Sequence, residues 1–349
     1  MLSGTSDPDW RGSRIRDLFL WSVPVLVAAP FSSHPFFRTD LSSHRTGPRM
    51  DFDLAILFIQ QGVVSGLVVG SVYALLALSI VMIFKTSEVP NFAAGEIFMA
   101  AGYCALFLLV FQKMPVLLVI PATLVLSFVI AALFRRGVLT RVAKASGSPV
   151  NLVIATLGLS YVLKGLVRRT GFGDTPRSFP ALIPTDSILI GQASITKLDL
   201  AIFITAIMVM GAVFWMFAYT KIGRAMRAVG MNPKAAALMG VDLERIHMLV
   251  WGLAAVISAI AALLISPKIL MTAEMGGIVT LAFAAAIVGG FSSLPGAVVG
   301  GFIIGISENL VGLFISSRAI VVAPFLAIML VLILRPQGLF GGRFAIKKV

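Results

Sequence analysis

The chain is organised by apolar runs on the length scale of a lipid bilayer. Nine stand out: Leu54–Phe84, Ala93–Phe111, Val116–Phe134, Val150–Val167, Leu200–Tyr219, Met248–Ile265, Gly276–Gly290, Ala297–Ile315 and Ile320–Leu334. A helix needs about 20 mostly apolar residues to cross the hydrocarbon core. Runs of this length predict an all-α polytopic membrane protein with about eight to nine transmembrane helices. The first run is too long for one upright crossing, so it is expected to tilt or to begin along the interface. Gly276–Gly290 is short, with glycine at both ends.

Composition supports the same class. The chain is 58% hydrophobic and 12% charged, with mean hydropathy +1.00, whereas soluble domains carry about 25% charged residues. A net charge of +13 could suit nucleic acid, but most charges occupy short gaps between apolar runs. That placement excludes nucleic acid as a partner and makes the lipid bilayer the expected surroundings. The positive-inside rule accounts for the charge. Arg135, Arg136, Arg141 and Lys144 crowd one gap, the opening stretch another, and Arg335, Arg343, Lys347 and Lys348 the C-terminus. With nine spans these regions share one side with Lys85, and that side is expected to be cytoplasmic. The Arg168–Asp199 loop, mixed in charge, falls outside.

Residues 1–49 are rich in Ser, Pro and Arg and are unlike the rest. They are expected to be an N-terminal extension, disordered or upstream of the natural start, before a transmembrane domain over 50–349. The one cysteine, Cys104, lies inside an apolar run. It permits no intramolecular disulfide and no Cys-based metal cluster. No HExxH, Ser/His/Asp grouping or metal-spaced His set is visible, and no P-loop, so neither catalysis, a metal site nor a cofactor is expected.

One polar interval is informative. Lys221–His247 contains Arg224, Arg227 and the stretch GMNPKAAALMGVD. Asn232 suits an N-cap and Pro233 the first helical turn, Lys-Ala-Ala-Ala-Leu-Met favours helix, and Gly240 suits C′. A capped helix of about two turns is therefore expected in a cytoplasmic loop, where it is too short to stand alone in water. Ala235, Ala236, Leu238 and Met239 need a surface to cover, either their own membrane domain or another protein. His247 is expected to end the loop in solvent.

Glycines and acids supply further candidates. Gly62, Gly66 and Gly70 share a helix face, as do Gly296 and Gly300, and such faces let helices approach closely in lipid. Gly289-Gly290 and Pro295-Gly296 flank FSSL. This stretch reads either as a cytoplasmic turn or as a broken helix whose free amides face substrate. Asn91, Glu96, Gly289, Gly290 and Glu308 are the candidate pathway positions. Glu96 falls where a carboxylate suits a helix start, Glu308 is expected to face the bundle interior, and Lys268 and Glu274 the outer surface. Glu96 and Glu308 are too few to favour the alternative, an ion-coupled secondary transporter.

Several ordered motifs carry a resemblance. GLVVGSVYALLALSIVMIF (Gly66–Phe84), NFAAGEIFMAAGY (Asn91–Tyr103), GRAMRAVGMNPKAAALMGVD, AFAAAIVGGFSSLPGAVVGGFIIGISEN (Ala282–Asn309) and LRPQGLFG (Leu334–Gly341) resemble the permease subunits of ABC importers for branched-chain amino acids. The resemblance covers about Met50 to Gly342 and is closer to the H-type permease than to its M-type partner. Ala94 departs from the family pattern, which often has histidine there. The resemblance implies an ABC-importer permease fold in a bacterial inner membrane and transport of branched-chain amino acids, or of urea or an amide. It also implies three kinds of partner: a second, M-type permease, two ATPase subunits, and an external substrate-binding protein. Arg224, Arg227, Asn232, Pro233, Ala236 and Gly240 would then form the ATPase-coupling loop.

Overall fold

The computed structural model describes residues 52–341, except 147, 172, 174, 181–185 and 191–192. The expected extension over 1–49 lies outside the described residues, and everything below concerns the compact unit Met50–Val349. The chain builds helices α1 (Phe52–Ser87), α2 (Ala94–Leu106), α3 (Val116–Phe134), α4 (Thr140–Ser146), α5 (Pro149–Arg169), α6 (Lys197–Tyr219), α7 (Lys221–Met231), α8 (Pro233–Leu238), α9 (Leu243–Ile265), α10 (Ile278–Gly289), α11 (Leu294–Phe314) and α12 (Ala323–Leu334). Among the described residues, seven helical stretches are long and apolar enough to cross a membrane, and two apolar ones, Met275–Gly289 and Ala319–Leu334, are shorter. Four short strands were not anticipated: β1 (Arg177–Ser178), β2 (Ser187–Ile190), β3 (Ala193–Thr196) and β4 (Leu270–Met271). They pair antiparallel as β1–β4 and β2–β3.

The long first run is one helix, and it is central. From Val72 to Ile83 every residue of α1 is buried, which suits a segment apolar on all sides. Its glycine face meets α11. A methyl on Gly66 would lie 2.7 Å from Ile306 Cα, and one on Gly70 3.0 Å from the Gly301 carbonyl oxygen. Helix α11 has two such faces. Gly301 and Gly305 press on Ala74 and Gly70 of α1, while Gly296 and Gly300 press on Gly289 and Ala285 of α10. Backbones in contact gain dispersion energy that larger side chains would forbid, and in lipid this replaces much of the missing hydrophobic driving force. On another side of α1, the buried Ser79 and Ser258 hydroxyls join it to α9 at 3.1 Å.

Two ends can be distinguished. At one, the Gln61 side chain exchanges hydrogen bonds with the Ser194 backbone, Lys268 pairs with Asp199, and Glu274 pairs with Lys164 and Arg168. At the other, the basic end, Lys85 Nζ donates to the Ser292 carbonyl at 3.2 Å and α7 packs its Gly230 on the Lys85 backbone. The helix between Gln61 and Lys85 rises about 36 Å, a bilayer core and part of its interface.

His247 corrects an expectation. It lies inside α9, half-buried, not at a solvated loop end. Arg135 approaches Nδ1 at 2.9 Å and the Thr86 carbonyl oxygen lies 3.1 Å from Nε2. Guanidinium can only donate and a carbonyl only accept, so Nδ1 accepts and Nε2–H donates. One imidazole thereby ties together the basic ends of α1, α3 and α9.

The LRPQGLFG ending also acquires a role. Leu339 N–H donates to the Val288 carbonyl at 2.9 Å and Phe340 N–H to the Gly289 carbonyl at 3.1 Å. The C-terminal segment thus satisfies carbonyls that the last turn of α10 leaves open. Gly290 and Gly338 reach left-handed φ values of +100° and +80°, which glycine adopts without steric cost.

Candidate functional site

Two places combine unusual backbone with polar chemistry. The first is a helix break. Chain leaves α1 through Glu88, at φ +56°, and does not restart until Ala94. Asn91 is buried, and its Oδ1 accepts from Ala93 N–H at 3.0 Å. Phe92 N–H reaches Thr156 Oγ1 of α5 at 3.3 Å, and the Phe92 ring stacks on Phe283 of α10 at 5.4 Å. At Gly95 the backbone abuts Gly276, so a methyl there would collide with the Gly276 carbonyl. Gly276 lies thirteen residues above Gly289, about 20 Å from the basic end and so within membrane depth. Helices α2 and α10 therefore begin beside each other inside the bilayer and run to opposite ends. Neither start has a side-chain cap bond. First-turn amides and the positive ends of two helix dipoles are concentrated there, with the Glu96 carboxylate in the first turn of α2.

Above the break a cleft runs along one stripe of α2. Glu96, Ala100, Tyr103, Cys104 and Phe107 follow i, i+4, i+7, i+8 and i+11, one helix face. A cavity of about 300 Å³ is lined by Ala100, Tyr103, Cys104 and Phe107 with Leu166, Val167 and Thr170 from the α5 side. Among the described residues the buried Tyr103 hydroxyl has no hydrogen-bond partner. Near the mouth, Glu274 is held below the usual carboxylate range, first by a hydrogen bond from Lys164 and then by the charges of Lys164 and Arg168.

The five candidate pathway positions do not form one site. Asn91 and Glu96 come together at the break. Glu308 is half-buried in α11 beside Tyr73 of α1, and among the described residues its Oε2 has no hydrogen-bond partner. Gly289 and Gly290 are corrected: they are buried in the α10–α11 turn, covered by Gly296 and by Gln337–Gly341 backbone, which leaves no surface for a solute. The helix interruption at membrane depth is at Asn91–Ala93 and Met275–Gly277. The sequence signal for it was available in the shortness of Gly276–Gly290.

The second place is the polar interval at the basic end, which holds two helices. Thr220 caps α7 by accepting from Gly223 N–H at 3.0 Å. Asn232 Oδ1 accepts from Ala235 N–H at 3.1 Å, opening α8, Pro233 occupies its first position, and Gly240 ends it at φ +85°. Arg224 is exposed. Arg227 instead donates to the Phe217 and Ala218 carbonyls and closes the end of α6. Ala236 is corrected as well: at 5% exposure it faces its own chain, while Leu238 and Met239, at 88% and 84%, face outward with Met231 at 80%. Beyond α8 lies a depression of about 370 Å³ lined by Arg136, Asp242, Glu244 and Arg245.

Comparison with known proteins covers both places. A family model described as "Branched-chain amino acid transport system / permease component" matches residues 62–334. The high-affinity branched-chain amino acid transport system permease protein LivH of Escherichia coli K12 is 30% identical over 304 residues, covering 82% of this chain and 96% of that protein. The corresponding permease protein BraD of Pseudomonas aeruginosa is 28% identical over 298 residues, covering 81% and 96%. A probable LivH permease of Methanocaldococcus jannaschii is 30% identical over 278 residues, covering 76% and 84%. A multi-pass helical membrane protein whose matched region holds the break, the cleft and the capped interval, this chain belongs to the branched-chain amino acid transport system permease family.

Proposed function

We propose that the chain is the permease subunit of an ATP-driven importer in a bacterial inner membrane, carrying branched-chain amino acids into the cytoplasm. Urea or an amide is the alternative cargo class. Family membership over 62–334 carries this reading, because that region contains both candidate places. The solute passes the α2–α10 break and the cleft on the Glu96–Tyr103 face of α2, where apolar walls suit an aliphatic side chain and the positive ends of two helix dipoles suit a carboxylate. A second permease completes the pathway, a binding protein delivers the solute at the Glu274 end, and two ATPase subunits engage the basic end. Leu238 at the end of α8, Met239 just after it and Met231 at the end of α7 form the docking knob, since three large apolar side chains this exposed need a partner to cover them. The membrane domain itself performs no chemistry on the solute.

The test is uptake of labelled leucine, isoleucine, valine and urea by proteoliposomes holding both permeases and the ATPases. Uptake is expected only with enclosed ATP and added binding protein. Uptake driven by a proton or sodium gradient without ATP would overturn the reading.

A further inference from the structure

The basic end contains a cationic cleft that neither the break nor the docking knob uses. It has a volume of about 570 Å³ and lies where α1, α6, α7 and the α10–α11 turn meet. Two cations flank one ring there: Lys85 Nζ lies 5.4 Å from the Phe217 centroid and Arg227 Cζ 5.8 Å from it. Among the described residues neither is ion-paired with a carboxylate. Each donates only to main-chain carbonyls, Lys85 to Ser292 and Arg227 to Phe217 and Ala218. The start of α11, capped by the Ser293 hydroxyl, adds a third source of positive potential to the same cleft. Phe214, Leu294, Pro295 and Phe340 form its apolar walls.

Where this cleft sits decides what it can hold. Helix α6 turns an apolar face outward through Ile204, Ile207 and Met208, and ends in Trp215 and Tyr219, exposed at 63% and 76%. Exposed Trp and Tyr at the end of an apolar helix are the signature of the headgroup level. The two cations therefore stand at the height of lipid phosphates, on a face covered by acyl chains. We propose that this cleft binds the phosphate of an anionic glycerophospholipid from the leaflet at the basic end, with its acyl chains lying along α6. Basic pockets between helices on this side of a membrane have the chemistry to hold such headgroups.

The experiment uses the full chain in neutral detergent, with bound lipid counted by native mass spectrometry after exchange against phosphatidylglycerol or phosphatidylcholine. Wild type is expected to retain phosphatidylglycerol preferentially. Lys85→Gln should reduce that preference roughly fivefold, the worth of one cation at an anionic surface, while Lys85→Arg keeps it. Lys85 caps no helix, so Lys85→Gln should elute as a monodisperse species with the unfolding temperature of wild type. Arg227→Gln is the supporting variant. Millimolar inorganic phosphate should leave bound phosphatidylglycerol in place. Equal retention of the two lipids, an unchanged preference in Lys85→Gln, or displacement by inorganic phosphate would each overturn the proposal. So would a Lys85→Gln protein that keeps its lipid preference but loses co-purifying ATPase, since the cleft would then receive a carboxylate of that partner.

Discussion

His247 does structural work that its position in a polar interval conceals. Its ring accepts from Arg135 and donates to the Thr86 carbonyl, so His247→Ala leaves a half-buried guanidinium and a carbonyl without their partner. The expected cost is about 1–3 kcal/mol, read as a lower unfolding temperature in detergent; unchanged unfolding would show the three-helix tie to be idle. Glu274 should behave differently. Its folded value lies below that of an unfolded carboxylate, so its ion pairs contribute at neutral pH and are lost as pH falls through the folded value. With the side chain 63% exposed, solvent screening limits the contribution to a few tenths of a kcal/mol. Wild type and Glu274→Gln should differ slightly at pH 7 and converge in strong acid or high salt; a gap that widens in acid would refute the assignment. At α8, Leu238→Asp should weaken ATPase co-purification without disturbing the membrane domain. Ala236→Glu should act by unseating α8, because its site is already filled by the chain itself. If Leu238→Asp leaves both ATPase binding and uptake intact, α8 is not the docking element.

Among elements, α11 is the most constrained. Its Gly301 and Gly305 face α1 and its Gly296 and Gly300 face α10, so a side chain on either face forces two backbones apart. Gly305→Val should cost about 1–3 kcal/mol or more, whereas Gly211→Ala in α6, where nothing lies within 4 Å of the added methyl, should be near neutral or slightly stabilising. Comparable loss of folded protein for both would mean that close approach is not what holds α11. The caps of α8 were legible because Asn, Pro and Gly each act through local backbone geometry. So were the apolar runs, which became helices with ends shifted by a few residues. The depth at which α2 and α10 begin was not legible, because a run of apolar letters gives length and not height. Nor was the position of Ala236, since a small residue in a capped helix suits either a partner or its own domain equally well. The bonds of Arg227 were not legible for a related reason: a cation in a basic loop gives no sign that the carbonyls of α6 lie within its reach.

For the whole molecule, the gathering of Lys85, Arg135, α7, α8 and the C-terminal segment at one end makes orientation a single question. Cysteine placed at Met231 in a Cys104→Ser background should be shielded from an impermeant reagent in intact cells and labelled in inverted vesicles. Labelling from outside would reverse the whole assignment. The pairing of α1 with α11 also has a consequence for biosynthesis. The first described helix is covered by nearly the last, so during translation α1 must reside in lipid while most of the chain is still unmade. Its glycine face tolerates that delay, because glycine exposes no polar side chain to the acyl chains, but the face stays open until Leu294–Phe314 has left the ribosome. Nascent permeases therefore pass through a stage in which a ready-made helix-binding groove is displayed to every other membrane protein nearby, and the speed of synthesis sets how long that exposure lasts.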